Sequence, residues 1–149
     1  MSKYLMSIVV SLFAFMCILV TPALSAERVY DNGSVWYVSF VRTKPGKYND
    51  YLADLNNVWR KYIEAQMKDG DILSYKMLNV AARRQNESDL VLMVEFKNWA
   101  TFDRGNEYFE DLAKKIQGSV DKSTQANIDR EALRTLNGNV ILQEVKFIK

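Results

Sequence analysis

Along VWYVSFVR, Val35 to Arg42, apolar residues fill nearly every position, so alternate residues give two apolar sides instead of one wet and one dry. From Lys47 to Lys68 the period changes. Tyr48, Leu52, Leu55, Trp59 and Ile63 recur at intervals of three and four, with Val58, Tyr62 and Met67 widening the stripe, which predicts an amphipathic helix stopped at Gly70. Alternation returns over Ile72 to Ala82 and over Leu90 to Lys97, two strands joined by the polar loop Arg83 to Asp89. Phe109, Leu112, Ile116 and Val120 mark a second helix, and a further helical piece is expected over roughly Gln125 to Leu136. AsnGlyAsn at 137 to 139 reads as its cap, and Val140 to Ile148 as a last strand.

The order strand, helix, strand, strand, helices, strand predicts a ferredoxin-like α+β sandwich, with a four-stranded antiparallel sheet and helices on one face. Strict alternation puts Trp36, Val38, Phe40, Leu73, Tyr75, Met77, Ile141, Val145 and Phe147 under the helices, together with Leu90, Leu92, Val94 and Phe96. The opposite side then gathers Val35, Tyr37, Val41, Ile72, Leu78, Val80, Val91, Met93, Val140, Leu142 and Ile148, with Ser39, Ser74, Lys76, Glu95, Glu144 and Lys146 between them. Leaving that many large side chains wet forgoes on the order of 15 kcal/mol, as much as a whole domain's net stability. The expected remedy is a homodimer in which two sheets pack face to face, burying about 800 Å² per partner.

The apolar run from Leu5 to Val20, with Lys3 before it and Pro22 and small residues after it, reads as a secretory signal peptide over residues 1–26. Residues 27–149 then form a single domain, secreted or periplasmic, with no stable membrane insertion once the leader is gone. Of 20 basic and 18 acidic residues the leader takes only Lys3, so the charge is near balance and offers no footprint for nucleic acid. The chain has no histidine, and its one cysteine, Cys17, lies in the leader. Serine–histidine triads, cysteine nucleophiles, disulfides and the common zinc sites are therefore excluded from the mature domain. No cofactor and no metal is expected.

The strand WYVSFVR running into ThrLysProGlyLys, the helix start TyrAsnAspTyrLeu and the later LeuValLeuMetValGluPheLysAsnTrpAlaThrPheAsp resemble the dimeric α+β barrel superfamily. That superfamily includes the cofactor-independent antibiotic-biosynthesis monooxygenases. The chain departs from it in a longer second helical region, the export signal and the lack of histidine. The resemblance implies a small apolar or aromatic ligand held between sheet and helices or inside the barrel. Trp36, Trp59, Tyr62, Tyr75, Trp99 and Phe102 are the candidate walls, with Asn79 as an orienting amide. It also leaves open a cofactor-free oxygenase or isomerase acting on an aromatic or quinone-like compound, and a cell-envelope interaction protein gripping its partner through residues 119 to 136.

On the interface side Tyr37, Lys76, Glu95 and Glu144 are the polar candidates, since a carboxylate beside a lysine can serve as a base. No catalytic residue can be assigned from these patterns. Arg42, Arg83 and Arg84 suit a carboxylate or phosphate. Asp69 and Asp71 around Gly70 lack the further alternating oxygen ligands of a calcium loop and read as a helix stop.

Overall fold

The computed structural model describes residues 27–81 and 84–148. The expected leader, with Cys17, lies outside the described residues, as do Ala82 and Arg83. In order, the chain forms β1 (Tyr30–Thr43), a helical run over 48–68 (α1), β2 (Ile72–Asn79) and β3 (Leu90–Phe96). A 3-10 turn (Trp99–Asp103), α2 (Asn106–Gln117), α3 (Val120–Arg130) and β4 (Arg134–Phe147) follow. The four strands lie in the order β2-β3-β1-β4 and every neighbouring pair is antiparallel. This is the ferredoxin-like α+β architecture expected from the element order. Among the described residues, no helix is long and apolar enough to cross a membrane.

One face of the sheet is roofed. Tyr51 and Leu55 of α1 bury with Val41, Leu90 and Leu92, and Ile63 buries with Ile72 and Val94. A π turn over Leu55–Trp59 makes this possible. Leu55 and Ile63 are eight residues apart, which in an unbroken α-helix would turn them about 80° away from each other. The wider π turn absorbs about one residue of rotation, leaving both within about 20° of the same direction and both in the core. The later helices join the same layer: the Tyr62 hydroxyl meets Ser123 of α3 at 2.9 Å, and Arg130 at the end of α3 pairs with Asp54 of α1.

The registers correct the expected faces. Val35, Tyr37, Ser39 and Val41 stand opposite Phe96, Val94, Leu92 and Leu90, and directly paired residues share a face, so these four point toward the helices. Trp36, Val38 and Phe40 stand opposite Glu95, Met93 and Val91 and occupy the open face. The expectation for β1 is therefore inverted, and Tyr37 leaves the set of polar candidates on the open side. Both faces of this strand are apolar, so alternation alone could not orient it. The space under α1 is filled by Tyr51 and Leu55 with Trp59 beside them, and the small Val41 of β1 completes that cluster.

A second correction follows from a bulge. In β2, Ile72 pairs with Phe96 while Ser74 already pairs with Glu95, so Leu73 is the extra residue. Ile72 thereby turns into the core at 2 % exposure and Leu73 turns out at 48 %, the reverse of strict alternation. Beyond the bulge, Tyr75 and Met77 face the helices, and Ser74, Lys76 and Leu78 the open side, as expected.

The C-terminal third also differs. The Ser119 hydroxyl caps the helix by accepting from the Lys122 amide, so α3 starts at Val120 and ends at Arg130, five residues earlier than expected at its start and six at its end. The segment 134–139, expected to close a helix and cap it, instead pairs with Ser39 to Thr43, and Asn137 is the bulged residue. β1 and β4 thus form a ribbon of 14 residues each, twice the 7 residues of β3.

Candidate functional site

The open face is floored by Trp36, Val38 and Phe40 of β1, with Val91 and Met93 of β3 beside them. Leu78 of β2 and Val140 and Leu142 of β4 extend it to both edges. None of the described helices covers it. Leu78, Val140 and Leu142 are 47 %, 41 % and 50 % exposed, although Val38 at the centre is reduced to 5 % by its own neighbours.

One end of this apolar floor is closed by a polar cluster. Two residues of β1, Gly33 and Ser34, bulge against Glu144 of β4, and this aims Ser34 at two carboxylates. The Ser34 hydroxyl lies 2.7 Å from Glu95 Oε1 and 3.2 Å from Glu144 Oε2, and the Ser34 amide donates to Glu144 at 3.1 Å. Ser74 donates to the other Glu95 oxygen at 2.6 Å. Lys146 sits 3.2 Å from Glu144, and the Lys76 ammonium lies 5.5 Å from the centre of the Trp36 ring, a cation–π distance. The Ser34 amide, followed by Lys146, holds the Glu144 carboxyl below its usual range. Lys76, Glu95 and Glu144 therefore stand on the open face: Lys76 over the Trp36 ring, Glu95 accepting from Ser34 and Ser74, and Glu144 accepting from Ser34 and paired with Lys146. Ser34 was not among the polar candidates on that face. Nothing in a lone serine marks it, and the bulge that aims it is visible only in the register.

The aromatic candidates are divided among separate places. Trp59 and Tyr62 line a cavity of 290 Å³ inside the helical layer, with Phe109 of α2 and Ser123 and Arg130 of α3. Its polar wall is connected: Gln117 donates to both the Tyr62 and Ser123 oxygens, at 3.3 and 3.4 Å. Tyr75 meets the edge of Trp59 from the sheet, their ring centres 5.4 Å apart, and belongs to the core. Trp36 lies on the far face of the sheet. Trp99 and Phe102 lie with ring centres 5.8 Å apart and planes tilted by 43° on the 3-10 turn, 52 % and 41 % exposed, with the Trp99 indole N–H donating to Gln143 of β4. Asn79 is exposed at the end of β2. The pair Trp59 and Tyr62 is thus the part of the candidate set that shares a concave site. Phe109, Ser123 and Arg130, its other walls, were missed because they come from helices whose boundaries and packing the sequence did not settle.

The acidic pair at the end of α1 has a structural role. Asp71 is gripped by the Arg104 guanidinium through two bonds of 3.0 Å, and Asp69 accepts from the Tyr108 hydroxyl at 2.7 Å. Burial, followed by the bond to Asp69, pushes the Tyr108 phenol well above its ordinary range. Among the described residues no cluster of three or more His, Cys, Asp or Glu side chains could hold a metal ion.

No protein-family model matches the chain. No curated protein matches it either. Among solved structures it is similar to a dimeric ferredoxin-like protein from an uncultured marine organism, at 9 % identity over 80 % of this chain and 94 % of that one, with a TM-score of 0.48. It is also similar to a protein from Shewanella oneidensis, at 15 % identity over 80 % and 97 % of the two chains, with a TM-score of 0.44. A third is a dimeric protein of unknown function and ferredoxin-like fold from Bacteroides fragilis, at 14 % identity over 77 % and 97 %, with a TM-score of 0.41. These are likenesses of chain path, and the assembly named for two of them is a property of those proteins.

Proposed function

We propose that the chain acts as an exported, homodimeric domain that holds a small apolar or aromatic molecule without transforming it. The observation that carries the dimer is the open sheet face, where Trp36, Phe40, Leu78, Val140 and Leu142 form a continuous apolar floor that none of the described helices covers. Contiguous apolar surface of this kind marks an interface. A second copy is the occupant that is always present at matching concentration and shape. Export is supported by the composition of residues 1–26. Ligand binding is supported by the Trp59–Tyr62 cavity, which joins flat apolar walls to two hydroxyls and a guanidinium, the mixture typical of a small-molecule site.

Sedimentation of the chain at micromolar concentration is expected to give a dimer, and a monomer across that range rejects the assembly. Native mass spectrometry of the freshly purified protein is expected to show a bound organic molecule that Trp59→Ala releases. Steady oxygen uptake with a quinol, abolished by Trp59→Ala, would replace the binder with a cofactor-free oxygenase.

A further inference from the structure

At the loop end of the open face, opposite the Ser34 cluster, two clefts adjoin. The first, of 470 Å³, is floored by Phe40, Val80 and Val91. The second, of 610 Å³, is lined by Arg42, Lys44, Tyr48 and Arg84 among others. Asn86 and Glu87 line both, so the two spaces share one wall. That wall is fixed: the Asn137 side chain, on the β4 bulge, donates to the Asn86 carbonyl at 3.2 Å and lies 3.1 Å from the Ser88 hydroxyl. Asn86 itself takes a left-handed backbone, φ +71°, which turns the loop back over the sheet.

The floor is continuous as well. Phe40 and Arg42 are alternate residues of β1, so they share a face and stand about 7 Å apart along the strand. Arg84 pairs with Glu87 at 3.4 Å on the surface and Asp89 accepts from the Thr43 amide and hydroxyl, so Arg42, Lys44 and Arg84 outnumber the two carboxylates lining the second cleft. Among the described residues neither the Arg42 guanidinium nor the Lys44 ammonium has an ion-pair partner. An apolar trough therefore runs directly into a place where cations are in excess.

We infer that this double cleft binds an organic anion with an apolar body, a fatty or aryl carboxylate, laying its body over Phe40, Val80 and Val91 and its carboxylate against Arg42. A guanidinium offers two parallel N–H donors to a carboxylate, and the apolar trough excludes small hydrated anions from competing for the full site. The cleft opens at the margin of the face assigned above to the second copy, so a dimer would cover its apolar half. Arg42 and the polar half of the cleft lie beyond that cover, and in the dimer the second copy would close over the body of the bound molecule.

The test is calorimetric titration of the full chain with octanoate, with octan-1-ol and with inorganic phosphate, alongside sedimentation of the same samples. Octanoate is expected to bind at least tenfold more tightly than either of the others. Arg42→Gln is expected to weaken octanoate at least tenfold and leave octan-1-ol unchanged, and Arg42→Lys to recover part of the loss. The inference is overturned if octanoate fails to bind, if phosphate binds as well as octanoate, or if Arg42→Gln binds octanoate unaltered. Octanoate binding to a chain that sediments as a monomer would keep the cleft and reject the dimer. A dimer that ignores octanoate would do the reverse.

Discussion

Gly33 decides whether the polar end of the open face can exist. A Cβ built on it would lie 2.1 Å from Glu144 Oε2 and 2.9 Å from the Glu144 Cβ, so any side chain there expels the carboxylate from the Ser34 amide. Gly33→Ala is expected to destabilise the fold by displacing Glu144 from the Ser34 amide, read as a lower urea midpoint with an unchanged slope. The same carboxylate gives a pH signature. Its folded pKa lies below the ordinary 4.5, so its contribution to stability is present above that value and is lost as pH falls through the folded one. A carbon-detected NMR titration should place the Glu144 midpoint below 4.5. Lys146→Met should raise it without bringing it to the ordinary value, because the Ser34 amide is the larger cause and remains. A midpoint indifferent to Lys146→Met removes the ion pair from the account.

At the scale of elements, the π turn sets the phase of α1. The i, i+3, i+4 stripe named the helix and its core side and included the buried Leu55 and Ile63, yet it also took in Tyr48 and left out Tyr51, which is buried to 2 % exposure. A stripe eight positions wide tells which side faces in only to within a residue, and a π turn shifts the phase midway. Deleting Asn57 would return the run to regular α geometry with Leu55 and Ile63 seven residues apart, still in phase. The deletion is expected to keep far-ultraviolet circular dichroism and to cost less than about 2 kcal/mol. Inserting an alanine after Asn57 should rotate Ile63 out of its buried site and cost about 2–5 kcal/mol, as emptying a core position does. Equal losses for the two variants would refute the phase argument. The strands carry the same lesson. β3 was oriented correctly because Leu90, Leu92 and Val94 alternate with a carboxylate at Glu95, whereas β1 has no charge between Val35 and Val41 to mark its wet side. The bulge at Leu73 leaves no trace in composition, so Ile72 was assigned to the wrong face.

At the scale of the whole molecule, the inverted orientation of β1 leaves the case for assembly intact. Exchanging Val35, Tyr37 and Val41 for Trp36, Val38 and Phe40 swaps one apolar row for another, so the open face is as greasy as the sequence implied. The existence of an uncovered apolar face was legible because it follows from element order and mean composition, which a one-residue error in facing does not alter. The ligand site was less legible, since a pocket needs the facing of every wall at once, and Trp36, Trp59 and Trp99 fell into separate places. Assembly also has a thermodynamic signature that packing within one chain lacks. If folding is coupled to pairing, a tenfold rise in protein concentration stabilises the folded dimer by about 1.4 kcal/mol per mole of dimer. Spread over two domains of this size, that raises the melting temperature by about 2–4 °C. Leu142→Lys puts a charge in the middle of the face at a residue already 50 % exposed, so it should leave the monomer's core untouched. It should abolish the concentration dependence and halve the sedimenting mass, while Ile128→Lys, equally exposed on α3 at 58 %, should change neither. A melting temperature independent of concentration in the unaltered chain, together with monomeric sedimentation, would mean that the sheet face stays wet and that the dimer is wrong.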